Sequence, residues 1–289
     1  MIASKIKYIH QFFDLIVEMK LREQMLVNGY YNVENIVSIE KIDALMETIF
    51  KIFLKYSPSN KFQDYQKPWE TDLFHDEMIN FRKLEPKKFS MLYDTVQTSF
   101  SVYQLVHSNL IGETCANLLG VKETELSVTE GMVRMDVPHD KRNVAGWHQE
   151  ISYLRNEGLV VWIPLTDITM KLGPLEICPK SHLEGELKIE KISDVPSDVS
   201  TVSLDEVPTE NIEKYPVTPI EIKKGGALMF DVHLFHRSGI NSSNMCRFSC
   251  QTRYSVANSM DFVPFRQSKV YSKIGLKMAG RDKSCFPTY

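Results

Sequence analysis

Three residues of metal-binding type, His148, Glu150 and His236, are placed so that they could act on one ion. In Gly146-Trp147-His148-Gln149-Glu150-Ile151 an imidazole and a carboxylate stand two positions apart, and in an extended chain such positions share a face. A third ligand is available in Asp231-Val232-His233-Leu234-Phe235-His236, at the end of an apolar run that follows the Gly225-Gly226 turn. Strict alternation along Ala227–Phe235 puts His236 on the face of Leu228, Phe230, Val232 and Leu234, with Asp231 and His233 opposite, so His236 is the histidine expected to face inward. Two histidines and one carboxylate on one side of an ion leave three adjacent positions open, the arrangement by which non-haem Fe(II) enzymes admit a keto acid and dioxygen. Zinc more often takes a closed tetrahedral set or an H-E-x-x-H helix, and the sequence has no such helix motif.

Arg247 follows His236 by eleven residues, on a run Arg247–Tyr254 with strand character. A guanidinium turned inward there offers a planar fork for a carboxylate, such as the far end of a dicarboxylic co-substrate. A salt bridge is the plainer reading, and Arg253, of the same parity, is a rival for the same task. His139-Asp140 are adjacent and would point to opposite faces of a strand, which suits a loop charge cluster better than a ligand pair. His75 and His107 lie in helical patterns without an identifiable partner; Tyr153 and Arg155 are near the ligand triplet and within reach of a substrate.

The elements that must position these residues fall into two textures. Roughly the first 120 residues read as helices. Met1–Leu26 is amphipathic, and Ser38 caps a helix whose apolar stripe is Ile42, Leu45, Met46, Ile49 and Phe53, ended by Pro58. Further helices run from Lys61 to Gly120, broken at Pro86. From Leu126 onward short β-branched and aromatic runs appear, at Met132–Val137, Val160–Leu165, Pro219–Ile222, Ala227–Phe235 and Arg247–Val256, as expected of a β-sandwich or barrel. Between Leu183 and Tyr215 an acidic stretch with weak periodicity reads as a long surface loop, and this stretch and Lys61–Glu85 are the candidates for contacting a substrate at the mouth of the β-core. No Gly/Ser/Pro-rich linker separates the halves, so the expectation is one domain over residues 1–289, with 1–120 helix-rich and 121–289 forming the β-core.

Composition sets outer bounds. The 289 residues are 43% hydrophobic and 25% charged, ordinary for a globular chain, and the formal charge of −3 argues against a surface built to neutralise many phosphates. Five cysteines without a C-x-x-C pair suit reduced thiols, and no run approaches the length of a membrane span. A cytoplasmic protein without a nucleic-acid partner is the expectation.

The residues that carry this chemistry resemble the phytanoyl-CoA dioxygenase family of Fe(II)/2-oxoglutarate dependent oxygenases. The resemblance runs through Gly29–Val33, His148-Gln149-Glu150, Gly173-Pro174-Leu175-Glu176-Ile177-Cys178-Pro179-Lys180-Ser181-His182, and His236-Arg237-Ser238-Gly239-Ile240-Asn241-Ser242 followed by Arg247. It implies a double-stranded β-helix, a jelly-roll of cupin type, with helices packed around it. It implies that His148 and His236 hold Fe(II), with Glu150 the third ligand by its position and charge, and that Ser238 and Arg247 take the distal carboxylate of 2-oxoglutarate; Arg134 and Trp162 are read as lining the co-substrate pocket, with a structural salt bridge and a core position as their plainer readings. The activity implied is oxidation of a small-molecule substrate by dioxygen with release of succinate and carbon dioxide. Hydroxylation of an aliphatic C–H is the first reading; desaturation, cyclisation or epimerisation on the same scaffold, or a non-catalytic binding role, are the alternatives. His182 is read as structural. The chain departs from the family in having Glu150 for the usual aspartate, Lys180 for a glycine and Leu172 for an asparagine. Halogenases related to the family carry a small residue at the position of Glu150, so a glutamate there speaks against halogenation.

Overall fold

The computed structural model describes residues 20–129, 131–140, 144–154, 156–187 and 207–264. Most of the amino-terminal amphipathic stretch, the side chain of Tyr153, Arg155 and the middle of the Leu183–Tyr215 loop lie outside the described residues.

The apolar stripe Ile42, Leu45, Met46, Ile49 and Phe53 forms the buried face of helix α1 (Ile39–Tyr56), which starts at Ser38 because its hydroxyl accepts from the Lys41 N–H. Thr71 caps α2 (Asp72–Leu84) in the same way, Pro86 opens α3 (Pro86–Gln97), and α4 (Phe100–Val106) and α5 (Asn109–Leu119) follow. Gly120, at φ +71, ends α5 in the left-handed region.

The strands form two antiparallel sheets. In the larger, β1 (Tyr30–Val33) pairs with β7 (Ala227–Asp231), β7 with β4 (Gly158–Pro164), and β4 with β9 (Arg247–Val256). The far edge of β9 is shared by β2 (Leu126–Val128) and β3 (Met132–Asp136), which pair with its successive halves. The smaller sheet has the order β6 (Thr218–Ile220), β5 (Leu175–Ile177), β8 (His236–Ser238).

Strand alternation divides the interior into two cores. Leu159, Val161, Ile163, Phe248, Cys250 and Met135 point from the large sheet towards the helices and join their apolar stripes, with Phe74 of α2 stacked on Phe248 at 6.0 Å. Val160, Trp162, Leu228 and Phe230 point the other way and pack with Leu175, Ile177 and Ile220 of the small sheet. The second core is the one that surrounds the candidate site.

The structure corrects three expectations. Ala227–Phe235 is not one strand: β7 ends at Asp231, whose carboxylate accepts the His233 N–H at 2.8 Å, and this turn sends the chain into the other sheet as β8. His148–Glu150 is not a strand either; a single bridge joins His148 to His236, and Glu150 leads directly into a short helix α6 (Ile151–Leu154). Lys61–Glu85, considered a substrate-facing segment, buries Phe62, Trp69, Phe74, Met78 and Phe81 in the helical core on the opposite face of the large sheet. Cys115, Cys178, Cys246 and Cys250 are buried free thiols, consistent with the reading of unpaired cysteines. Among the described residues no helix is long and apolar enough to cross a membrane.

Candidate metal centre and co-substrate pocket

His148 and His236 are brought together by the backbone itself, since each donates its N–H to the other's carbonyl, at 3.0 and 3.2 Å. Their rings lie 4.1 Å apart, and Glu150 Oε1 stands 3.8 Å from His148 Nε2 and 3.6 Å from His236 Nε2. One ligand atom from each of the three residues falls within 4.8 Å of the others, and all three are buried. His148 Nδ1 lies 2.8 Å from the Gly146 carbonyl and His236 Nδ1 2.9 Å from the Leu234 carbonyl. A carbonyl only accepts, so each Nδ1 carries the proton and each Nε2 turns a lone pair towards the shared space. Burial, with His148 beside it, pushes the His236 imidazole down to about 4, so it is neutral and ready to ligate.

Glu150 is held from the other side. Arg253 Nε donates to Glu150 Oε2 and Arg253 Nη2 to Oε1, both at 2.9 Å, in a buried bidentate pair. Burial alone would raise this carboxyl, but the Arg253 charge holds it well below the usual carboxylate range. Arg253 therefore spends its fork on Glu150. Gln149, pointing away, donates to the carbonyls of Gly185 and His233 and accepts from the Leu187 N–H, while Val207 N–H donates to the Trp147 carbonyl. Both flanks of the Leu183–Tyr215 stretch are thus fastened beside the ligand triplet.

The four residues assigned by resemblance to co-substrate binding come together. Arg134, Trp162, Ser238 and Arg247 line one small pocket of about 20 Å³, with Asp136, Leu175, Ser249 and Gln251. Asp136 was not anticipated from the sequence. It is the direct cross-strand partner of Arg247, and its Oδ2 accepts from Arg247 Nη2 at 2.8 Å and Nε at 3.2 Å. Arg247 Nη1 donates to the carbonyls of Gly173 and Gly239. Those two glycines are needed there: at Gly173, which sits at φ +76, a Cβ would fall 2.6 Å from Ile240 C. The motifs around Gly173 and Ser238-Gly239 thereby serve to seat Arg247.

The remaining histidines are accounted for differently. His233 faces away from the triad, against Asp231 at 2.9 Å and Glu157 at 3.6 Å. Burial lowers its pKa, but the bond to Asp231 and the nearby Glu157 raise it on balance. His182 donates from Nε2 to the Leu26 carbonyl at 3.1 Å, a structural link. Asp140 pairs with Arg82 at 3.2 Å in the turn that also holds His139. His75, buried, accepts the Cys246 N–H at Nδ1. Lys180 stands at φ 72, the backbone that a glycine would favour, so the turn before Ser181-His182 persists at a cost of about 1 kcal/mol.

Residues 25–249 match the model of the family described as phytanoyl-CoA dioxygenase (PhyH), well over half of the chain. The chain belongs to the phytanoyl-CoA dioxygenase family. Solved structures of similar fold include the epimerase SnoN from nogalamycin biosynthesis in complex with Fe3+, alpha ketoglutarate and nogalamycin RO, at 13% identity and TM-score 0.56, covering 94% of this chain and 93% of that one. EvdO2 from Micromonospora carbonacea var. aurantiaca complexed with 2-oxoglutarate is 18% identical at TM-score 0.54, covering 85% and 94%. The carbocyclase SnoK, also from nogalamycin biosynthesis, is 15% identical at TM-score 0.51, covering 82% and 83%. At these identities the likeness is one of fold. No curated protein matches the chain.

Proposed function

We propose that this family member is a single-domain Fe(II)/2-oxoglutarate dependent oxygenase acting on a small-molecule substrate, with its two antiparallel sheets as the walls of a double-stranded β-helix. The observation that carries the reading is the buried convergence of His148 Nε2, His236 Nε2 and a Glu150 oxygen, with both imidazole protons already committed to carbonyls. The donor set suits Fe(II): two neutral nitrogens and one anionic oxygen leave room for further ligands. Among the described residues no fourth histidine, cysteine or carboxylate joins the group, as a closed zinc site would require. Arg134, Arg247 and the Ser238 hydroxyl supply the donors that a dicarboxylic keto acid needs, beside the flat wall of Trp162. A purely binding role has no use for this whole set.

Iron with 2-oxoglutarate supplies a two-electron oxidation by dioxygen, releasing succinate and carbon dioxide. The chain's own work is positional. Gly146 and Leu234 carbonyls fix the imidazole orientations, and Arg253 fixes the Glu150 carboxylate. Val160, Leu228 and Phe230, with Phe230 4.6 Å from the His236 ring, exclude water from that side. Substrate specificity is assigned to the Leu183–Tyr215 stretch, whose flanks are tied to Trp147 and Gln149.

Hydroxylation of an unactivated C–H is the primary reading. Epimerisation or cyclisation is the second, favoured by the printed activities of SnoN and SnoK on a similar fold. A screen of metabolites for stimulated succinate release, followed by the mass of the product, tests both. A gain of one oxygen supports hydroxylation, loss of two hydrogens supports desaturation or cyclisation, and an unchanged formula supports epimerisation. Iron-loaded protein that releases no succinate with or without any compound contradicts the proposal.

A further inference from the structure

Arg247 is already occupied by a carboxylate. Its Nε and Nη2 both reach Asp136 Oδ2, and its Nη1 is taken by the Gly173 and Gly239 carbonyls, so the fork that would grip a co-substrate faces an internal anion. Both side chains are buried, at 4% and 8% exposure. The pocket in front of them, about 20 Å³, holds roughly one water and not a five-carbon diacid. Behind the pair lies a cavity of about 320 Å³, also lined by Asp136 and Arg247, with Val137, His139, Gly239 and Asn241. The ion pair borders both spaces.

We propose that Asp136 is an exchangeable internal carboxylate that occupies Arg247 until a dicarboxylic co-substrate takes its place, and so sets the affinity of the site for the distal carboxylate. This rests on the reading of Arg247 as the co-substrate arginine. The charges close only in the loaded state, which favours entry of a second carboxylate. Without co-substrate, Asp136 is shared by Arg247 and Arg134, whose Nη2 lies 3.4 Å from Oδ1. With it, the incoming carboxylate takes Arg247 while Asp136 stays with Arg134, leaving two guanidiniums facing two carboxylates. The cavity behind gives Oδ2 room to turn, pivoting about the Arg134 contact. A buried ion pair of this kind adds little net stability over an apolar pair, whereas removing one partner leaves a costly unpaired charge. That asymmetry suits an exchange better than a permanent clamp.

The test compares the wild-type chain with Asp136→Asn, both loaded with Mn(II). Calorimetric titration with 2-oxoglutarate is expected to give binding roughly tenfold tighter in Asp136→Asn, because the competing anion is gone and the binding-competent fork is always available. Its melting temperature should be lower than wild type without 2-oxoglutarate and should rise more on adding it. Equal or weaker binding in the variant overturns the exchange while leaving Arg247 as the co-substrate arginine. No 2-oxoglutarate binding by either metal-loaded protein overturns the reading of Arg247 itself, and the exchange with it. Should Asp136→Asn fail to fold, a crystal structure of the wild-type complex with Mn(II) and 2-oxoglutarate decides. An Asp136 Oδ2 withdrawn from Arg247 supports the proposal, and an intact pair with the distal carboxylate elsewhere overturns it.

Discussion

Replacing Arg253 with methionine is expected to destabilise the metal-free protein by roughly 3–5 kcal/mol, the cost of breaking a buried ion pair from one side. Both members are buried and the contact is bidentate, so no solvent replaces the lost donors. Urea unfolding measures the loss. Metal affinity should fall as well, by roughly 10- to 100-fold. Removing a cation near a metal site lowers repulsion and opposes that fall. Two larger effects run the other way. A glutamate in apolar surroundings without its guanidinium takes up a proton, which must leave before the carboxylate can ligate. Its three side-chain torsions, now fixed by the fork, would also have to be ordered on binding, at a cost approaching ~2 kcal/mol. Arg253→Lys, which keeps the charge without the fork, should fall between wild type and Arg253→Met. Unchanged stability and unchanged metal affinity in Arg253→Met would show that the pair is incidental.

The second large effect separates two histidines three residues apart. His236→Ala should weaken Fe(II) binding by roughly 100-fold or more, since it removes a ligand rather than a ligand's support. His233→Ala should leave binding within a few-fold of wild type, because His233 is committed to Asp231 and Glu157 and does not face the triad. Equilibrium dialysis under anaerobic conditions reads both. Comparable losses in the two variants would mean that the chain presents the wrong histidine in this structure.

Much of this arrangement is legible in the sequence because it depends on local periodicity. The stripe of α1 is the stripe read from Ile42 to Phe53, and β9 spans the run Arg247–Val256. Strand parity on β9 correctly puts Arg247 and Arg253 on one face, but it does not say which arginine meets which carboxylate. Those partners come from distant parts of the chain: Glu150 from the turn before α6, Asp136 from the end of β3. A signal for Asp136 was nevertheless present, since it stands two residues after Arg134 on a strand and shares its face.

His236 was placed inward by the alternation of a strand that does not exist as one piece. The turn at Asp231 interrupts it, and the inward direction instead follows from the bridge to His148. The triplet His148–Glu150 was likewise read as extended, whereas the bridge and the start of α6 bring the two ligands together. Turn chemistry made by a single aspartate outweighs a periodicity that is otherwise unbroken. The exchange of the family's aspartate for Glu150, which looked like an isolated departure, is accompanied by Arg253 gripping both oxygens of the longer side chain.

The central claim is that one buried site holds both Fe(II) and 2-oxoglutarate. Anaerobic addition of Fe(II) and then 2-oxoglutarate to the metal-free chain tests it most directly. The weak visible charge-transfer band of the chelate is expected, saturable in 2-oxoglutarate and absent in His236→Ala. Fe(II) binding without that band, together with no heat of 2-oxoglutarate binding, would contradict the claim.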